Sequence, residues 1–195
     1  MNEFSLYFDL GRSHILDPKG YDHILFVAVL CGVYLLKDWK KVLILVTAFT
    51  IGHSLTLALN VYGKIGISLA LIEFLIPLTI VITASINILR KKFTPTNARF
   101  TYGLALFFGL IHGIGFSSYL RALLGKESGI ITPLFAFNVG LEIGQLLIVI
   151  TVLLLSFLLG KFFKVKYRDW KLFLSSAIWG IALLMAIERL QILLH

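Results

Sequence analysis

Apolar residues fall into six long stretches, each closed by charge, Gly or Pro. They are Tyr21–Leu36, Val42–Tyr62, Ile67–Leu89, Phe100–Leu120, Thr132–Leu159 and Leu172–Leu194. About 20 mostly apolar residues are enough for a helix to cross a bilayer. All six read as helices, because an open sheet cannot satisfy its backbone polar groups in lipid. The first stretch is short, and the fifth is long enough to tilt. Residues 1–20 carry Glu3 and Asp9 and lack a long apolar run, so they read as a short mature segment and not as a leader. No linker or low-complexity tract divides the chain, and 1–195 reads as one domain.

Composition supports a lipid-facing protein. Hydrophobic residues make up 58% and charged ones 14%, against about 45–50% and about 25% in soluble domains. So much apolar surface cannot all be hidden in the core of a chain this size. The net charge of +8 raises nucleic acid as a partner, but its distribution excludes one. Lys37, Lys40 and Lys41, then Arg90, Lys91, Lys92 and Arg99, then Lys161, Lys164, Lys166, Arg168 and Lys171 form three clusters between apolar stretches. These clusters hold 12 of the 18 basic residues and mark cytoplasmic loops. The expected fold is an all-α polytopic membrane bundle of about six transmembrane helices, with both termini and the 1–20 segment on the outer side. Cys31 is the only cysteine, which excludes an internal disulfide and a multi-thiolate metal site. It reads as a small buried core residue.

Ionisable groups inside the apolar stretches carry the functional signal. Each costs roughly 2.5–3.5 kcal/mol even on mild insertion scales. They are His53, Glu73, His112 and Glu142, with Asp22 and His23 opening the first stretch. His53 lies 12 residues past Lys41 and His112 lies 13 past Arg99, roughly 18–20 Å along a helix. Glu73 and Glu142 lie 6 and 10 residues into descending stretches, roughly 9 and 15 Å. All four are therefore expected at one depth in the outer half, with His53, His112 and at least one of the two glutamates around a common point. His53 shares a stripe with Thr50, Thr56 and Asn60, and Glu142 with Asn138 and Gln145. Pro77, four residues after Glu73, frees the Glu73 carbonyl. Gly109, Gly113 and Gly115 flank His112 and allow close helix contact or local unwinding.

Imidazole and carboxylate without thiolate suit Ni²⁺, Co²⁺ or Zn²⁺ better than Cu⁺. The rival readings are polar glue between helices, a proton relay or small-solute site, an intramembrane zinc-dependent hydrolase, and a metal-binding accessory subunit of a membrane complex. Neither a P-loop nor another nucleotide motif is present, which argues against pumping by this chain. Glu188 and Arg189 read as an interfacial anchor, and His195 as silent. Phe49-Thr-Ile-Gly-His53 and Phe108-Gly-Leu-Ile-His112 echo each other weakly, as a duplicated helix pair would.

Four segments in order resemble the HupE/UreJ family of membrane proteins. They are His14…Gly20-Tyr21-Asp22-His23, Phe49-Thr-Ile-Gly-His53-Ser-Leu-Thr-Leu, Phe108-Gly-Leu-Ile-His112-Gly-Ile-Gly-Phe and Phe137-Asn138-Val-Gly-Leu-Glu142-Ile-Gly-Gln145. The likeness spans roughly 14–145. It implies a nickel or cobalt permease in the bacterial inner (plasma) membrane, with about six helices and no enzymatic activity, linked to hydrogenase or urease maturation. The family's signature His and Gly-x-Asp-His match His14, Gly20, Asp22 and His23, with Asp17-Pro18-Lys19 lengthening the segment between them. The expected metal-ligating set is then His14, Asp22, His23, His53, Glu73, His112, Asn138, Glu142 and Gln145. The transported ion is Ni²⁺ or Co²⁺, with Zn²⁺ or Cu²⁺ left open. Expected partners are membrane lipid and the metal ion, with a homo-oligomer or metalloenzyme-maturation proteins also left open.

Overall fold

A computed structural model describes residues 2–61, 66–90, 98–124 and 129–195. Tyr62, at the expected end of the second stretch, and Lys91 and Lys92 lie outside these residues. Among those described there are seven α-helices and no strand. They are α1 (Glu3–Ile15), α2 (Asp22–Cys31), α3 (Trp39–Val61), α4 (Leu69–Leu89), α5 (Ala98–Leu124), α6 (Ile131–Phe162) and α7 (Tyr167–Leu194). The last five are long and apolar enough to cross a membrane. Large apolar side chains such as Ile51, Phe107, Ile150 and Leu184 are left exposed along them, which suits a lipid surround.

The first 36 residues depart from the expectation. The N-terminal segment is helical: the Asn2 side chain accepts from the Phe4 amide at 2.7 Å and caps α1. Tyr7, Gly11 and Ile15, spaced by four, form its buried face. That stripe is one residue wide and flanked by charge, too sparse to mark a helix in the sequence. The stretch expected to continue to Leu36 stops being helical at Cys31, and a short 3₁₀ turn, Leu36–Asp38, leads into α3. With ten residues, α2 rises only about 15 Å, so it cannot cross a bilayer by itself. It is the core of the bundle: Phe26 to Cys31 are all buried. Cys31 is buried, as its setting predicts.

Small residues set how the helices meet. A Cβ on Gly52 would strike the Leu106 carbonyl, one on Gly109 the Phe49 carbonyl, and one on Gly113 the His53 carbonyl. From Phe49–Gly109 to His53–Gly113 both numbers rise by four, so α3 and α5 are parallel and in backbone contact, as small-xxx-small spacing allows. A second pair repeats this arrangement. Gly11 faces the Phe137 carbonyl and Gly144 faces Ile15, so α1 runs parallel to α6. The α4 and α7 helices are antiparallel, clasped by Trp179 Nε1 donating to Ser85 Oγ at 3.0 Å and by an Arg189–Glu73 ion pair at the other end. The basic loops gather at one end. There Lys171, almost fully buried, donates to the Arg90 carbonyl at 2.6 Å and caps α4, and Lys37 and Tyr167 line one pocket.

Candidate metal centre

Four imidazoles meet where α1 ends and α2 begins. His14 is the penultimate residue of α1 and His23 the second of α2, while His53 and His112 come from the α3–α5 pair. One nitrogen each from His14, His23 and His53 lies within 4.8 Å of the others. Two nitrogens on a tetrahedral ion at about 2.0–2.1 Å would be roughly 3.4 Å apart. Small side-chain rotations therefore bring the three into ligating range. His112 stands beside His23, with ring centroids 5.1 Å apart.

The close α3–α5 contact explains how His53 and His112 come together. With Gly113 against its carbonyl, His53 is pressed onto the turn that carries His112. Four phenylalanines wall the group. Phe116 lies 3.9 Å from the His14 ring, Phe137 stacks at 6.3 Å on His53, and Phe26 and Phe49 sit 4.9 and 5.3 Å from His112. His23, His53 and His112 are buried. An apolar wall strengthens any ion–ligand interaction beside it.

Local hydrogen bonds decide which nitrogens are available. Asp22 Oδ1 accepts from His23 Nδ1 at 2.9 Å, which leaves His23 Nε2 as the bare nitrogen. Thr79 Oγ1 lies 2.7 Å from the Ile76 carbonyl and 3.1 Å from His112 Nε2. The carbonyl can only accept, so the single hydroxyl proton goes to it. His112 Nε2–H then donates to Thr79, and His112 Nδ1 keeps its lone pair. His14 Nε2, His23 Nε2, both His53 nitrogens and His112 Nδ1 are buried with no hydrogen-bond partner among the described residues. Buried polar atoms are rarely left so. Five such nitrogens in one chamber fit a cation-binding site held by imidazole.

The carboxylates expected beside these imidazoles are engaged elsewhere. Glu73 is held by Arg189 at 2.9 Å. It lines a cavity of about 220 Å³ that also touches Asp22, His23 and His112. Glu142 accepts from Thr47 Oγ1 at 2.6 Å, and Gln145 Oε1 accepts from Thr50 Oγ1 at 2.9 Å. These two pairs form a polar seam between α3 and α6. Asn138, one turn before Glu142, has a buried Oδ1 without a partner among the described residues. Of the remaining stripe on α3, Thr56 bonds back to its own helix and Asn60 donates to Ser117. Pro77 lines the Glu73 cavity, and α4 runs through it unbroken.

Sequence reasoning missed Thr79, the phenylalanine walls, Thr47 and the role of Arg189 as the Glu73 partner. Of the four wall residues, Phe49, Phe116 and Phe137 sit inside the motif segments and Phe26 does not, and ring position depends on packing. Neither curated proteins nor solved structures yield a match to this chain. A family model described as HupE / UreJ protein does match, over residues 1–189. With five long apolar helices, the chain is an integral membrane protein, and a match covering almost its whole length makes it a member of the HupE/UreJ family.

Proposed function

We propose that this chain is a permease that moves a divalent transition-metal ion, Ni²⁺ or Co²⁺, across the plasma membrane of a bacterium. The family is associated with nickel or cobalt transport and with urease or hydrogenase maturation. The observation that carries the reading is the set of bare imidazole nitrogens on His14, His23, His53 and His112 in a phenylalanine-walled chamber. Asp22 fixes the His23 tautomer, as carboxylates do behind metal-bound histidines.

The route has an order. An ion enters through the cavity lined by Glu73 and Asp22, reaches the imidazoles, and leaves along the seam of Thr50, Gln145, Thr47 and Glu142. Asn138 offers a carbonyl oxygen between the two. No ATP motif is needed, because an inside-negative potential supplies about 2.3 kcal/mol per charge per 100 mV. Transport fits better than hydrolysis because the two glutamates are engaged as no general base would be, Glu73 with Arg189 and Glu142 with Thr47. The physiological partners are lipid, the ion itself and the maturation machinery that receives it.

We also read six crossings with both termini outside, the first made by α1 and α2 together. Their 13 and 10 residues rise about 20 and about 15 Å, enough in sum for a core of about 30 Å. The break at 16–21 leaves His14 and His23 on facing helix ends, a form that broken membrane helices give to ion sites. The deciding experiment is uptake into proteoliposomes, with Ni²⁺, Co²⁺, Zn²⁺, Cu²⁺ and Mn²⁺ compared. Wild type is expected to accumulate Ni²⁺ or Co²⁺, and His53→Ala to accumulate neither. Equal uptake by both proteins would refute the reading, and tight binding without uptake would favour an accessory or enzymatic role.

A further inference from the structure

Arg189 stands where a cation would enter. Its Nη1 lies 2.9 Å from Glu73 Oε2, and the two side chains are 45% and 36% exposed. Both line the cavity whose wall includes His23 and His112, each presenting a buried nitrogen without a partner among the described residues. Three carboxylates border this space, and their engagements differ. Asp17 Oδ1 accepts from the Lys19 amide at 2.9 Å, so backbone holds it. Asp22 Oδ1 holds both the His23 amide and the His23 ring. Glu73 is held by a long, exposed side chain from another helix. Of the three, it is the carboxylate an incoming ion can take without dismantling the local frame.

We propose that Arg189 is a tethered counter-cation that occupies Glu73 and sets which ions pass to the imidazole chamber. This inference rests on the permease reading and adds a specificity-determining residue to it. A guanidinium is monovalent, diffuse and weakly hydrated. At equal distance a divalent ion attracts a carboxylate twice as strongly as a monovalent one, so it displaces Arg189 where Na⁺ or K⁺ does not. The pair is exposed, so the hold is weak enough to exchange. It is also dispensable for packing. The α4–α7 contact keeps its Trp179–Ser85 bond and the buried stripe of Ser175, Ile178, Ala182 and Ala186.

The test is Ni²⁺ uptake into proteoliposomes at limiting Ni²⁺, with and without excess K⁺, alongside equilibrium Ni²⁺ binding in detergent. Arg189→Gln is expected to raise the initial rate roughly two- to five-fold, the factor an exposed ion pair can supply. It should also make uptake sensitive to K⁺, with the equilibrium Kd unchanged. Glu73→Asp, which keeps the charge but draws it back from Arg189, should shift both readouts in the same direction. Glu73→Gln should slow uptake, and the Glu73→Gln/Arg189→Gln double variant should match it. Rates at or below wild type for both Arg189→Gln and Glu73→Asp overturn the proposal while leaving the permease reading intact. Wild-type protein that neither binds nor moves Ni²⁺ takes both down.

Discussion

Thr79 has one proton to give, and its destination decides which nitrogen of His112 can meet a metal. The hydroxyl spends it on the Ile76 carbonyl at 2.7 Å and so receives His112 Nε2–H. Asp22 does the same work for His23 from the Nδ1 side. Such supporting partners are worth roughly 10–100-fold in metal affinity. Asp22→Asn is therefore expected to weaken Ni²⁺ binding within that range, and Thr79→Val by about ten-fold, with the fold retained in both. Isothermal titration of the purified variants measures this, and wild-type affinity in Thr79→Val would show that His112 lies outside the ligand set.

At the scale of helices, the site depends on how closely α3 and α5 approach. A Cβ on Gly113 would meet the His53 carbonyl and the Thr56 hydroxyl, whereas one on Gly103 of the same helix would meet nothing within 4 Å. Overpacking of this kind costs about 1–3 kcal/mol. Gly113→Ala is expected to lower thermal stability by that order and to weaken Ni²⁺ binding, because the helices must part and carry His53 away from His23. Gly103→Ala is expected to be neutral or stabilising by up to about 1 kcal/mol. Thermal unfolding in detergent with and without Ni²⁺ separates the two, and equal behaviour would deny the contact its role. The same geometry explains what could be read from the chain alone. Five long helices, α3 to α7, were visible because apolar length is local information. His53, His112 and the Asp22–His23 pair stood out because buried ionisable residues are costly. Spacing gives height along a helix, and it put Glu73 and Glu142 level with the two histidines. It does not give rotation about the helix axis or the neighbouring side chain. Those send Glu73 to Arg189 and Glu142 to Thr47. His14 reaches the cluster through the turn at 16–21, whose path no periodicity records.

For the whole molecule, the number of crossings turns on α1 and α2. Helices α3 to α7 are five, and an odd number puts the two ends of the chain on opposite sides of the membrane. From the basic clusters at Lys37–Lys41 and Lys161–Lys171, the start of α3 and the end of α6 are expected inside. With five crossings, residues 1–38 would then lie inside and His195 outside. A discontinuous first crossing puts both ends outside. We propose the second arrangement, because α1 lies parallel to α6, with Gly11 against Phe137 and Gly144 against Ile15. In a Cys31→Ser background, single cysteines at Asn2, Lys164 and His195 report the sides through a membrane-impermeant maleimide on intact cells. Cysteine at positions 2 and 195 is expected to label without permeabilisation, and at 164 only after it. Labelling of 195 alone would mean five crossings. The cavity that reaches His23 and His112 would still open beside Glu73 and Arg189, at the same ends of α4 and α7, so that result would overturn the discontinuous first crossing and leave the approach to the imidazoles as it is.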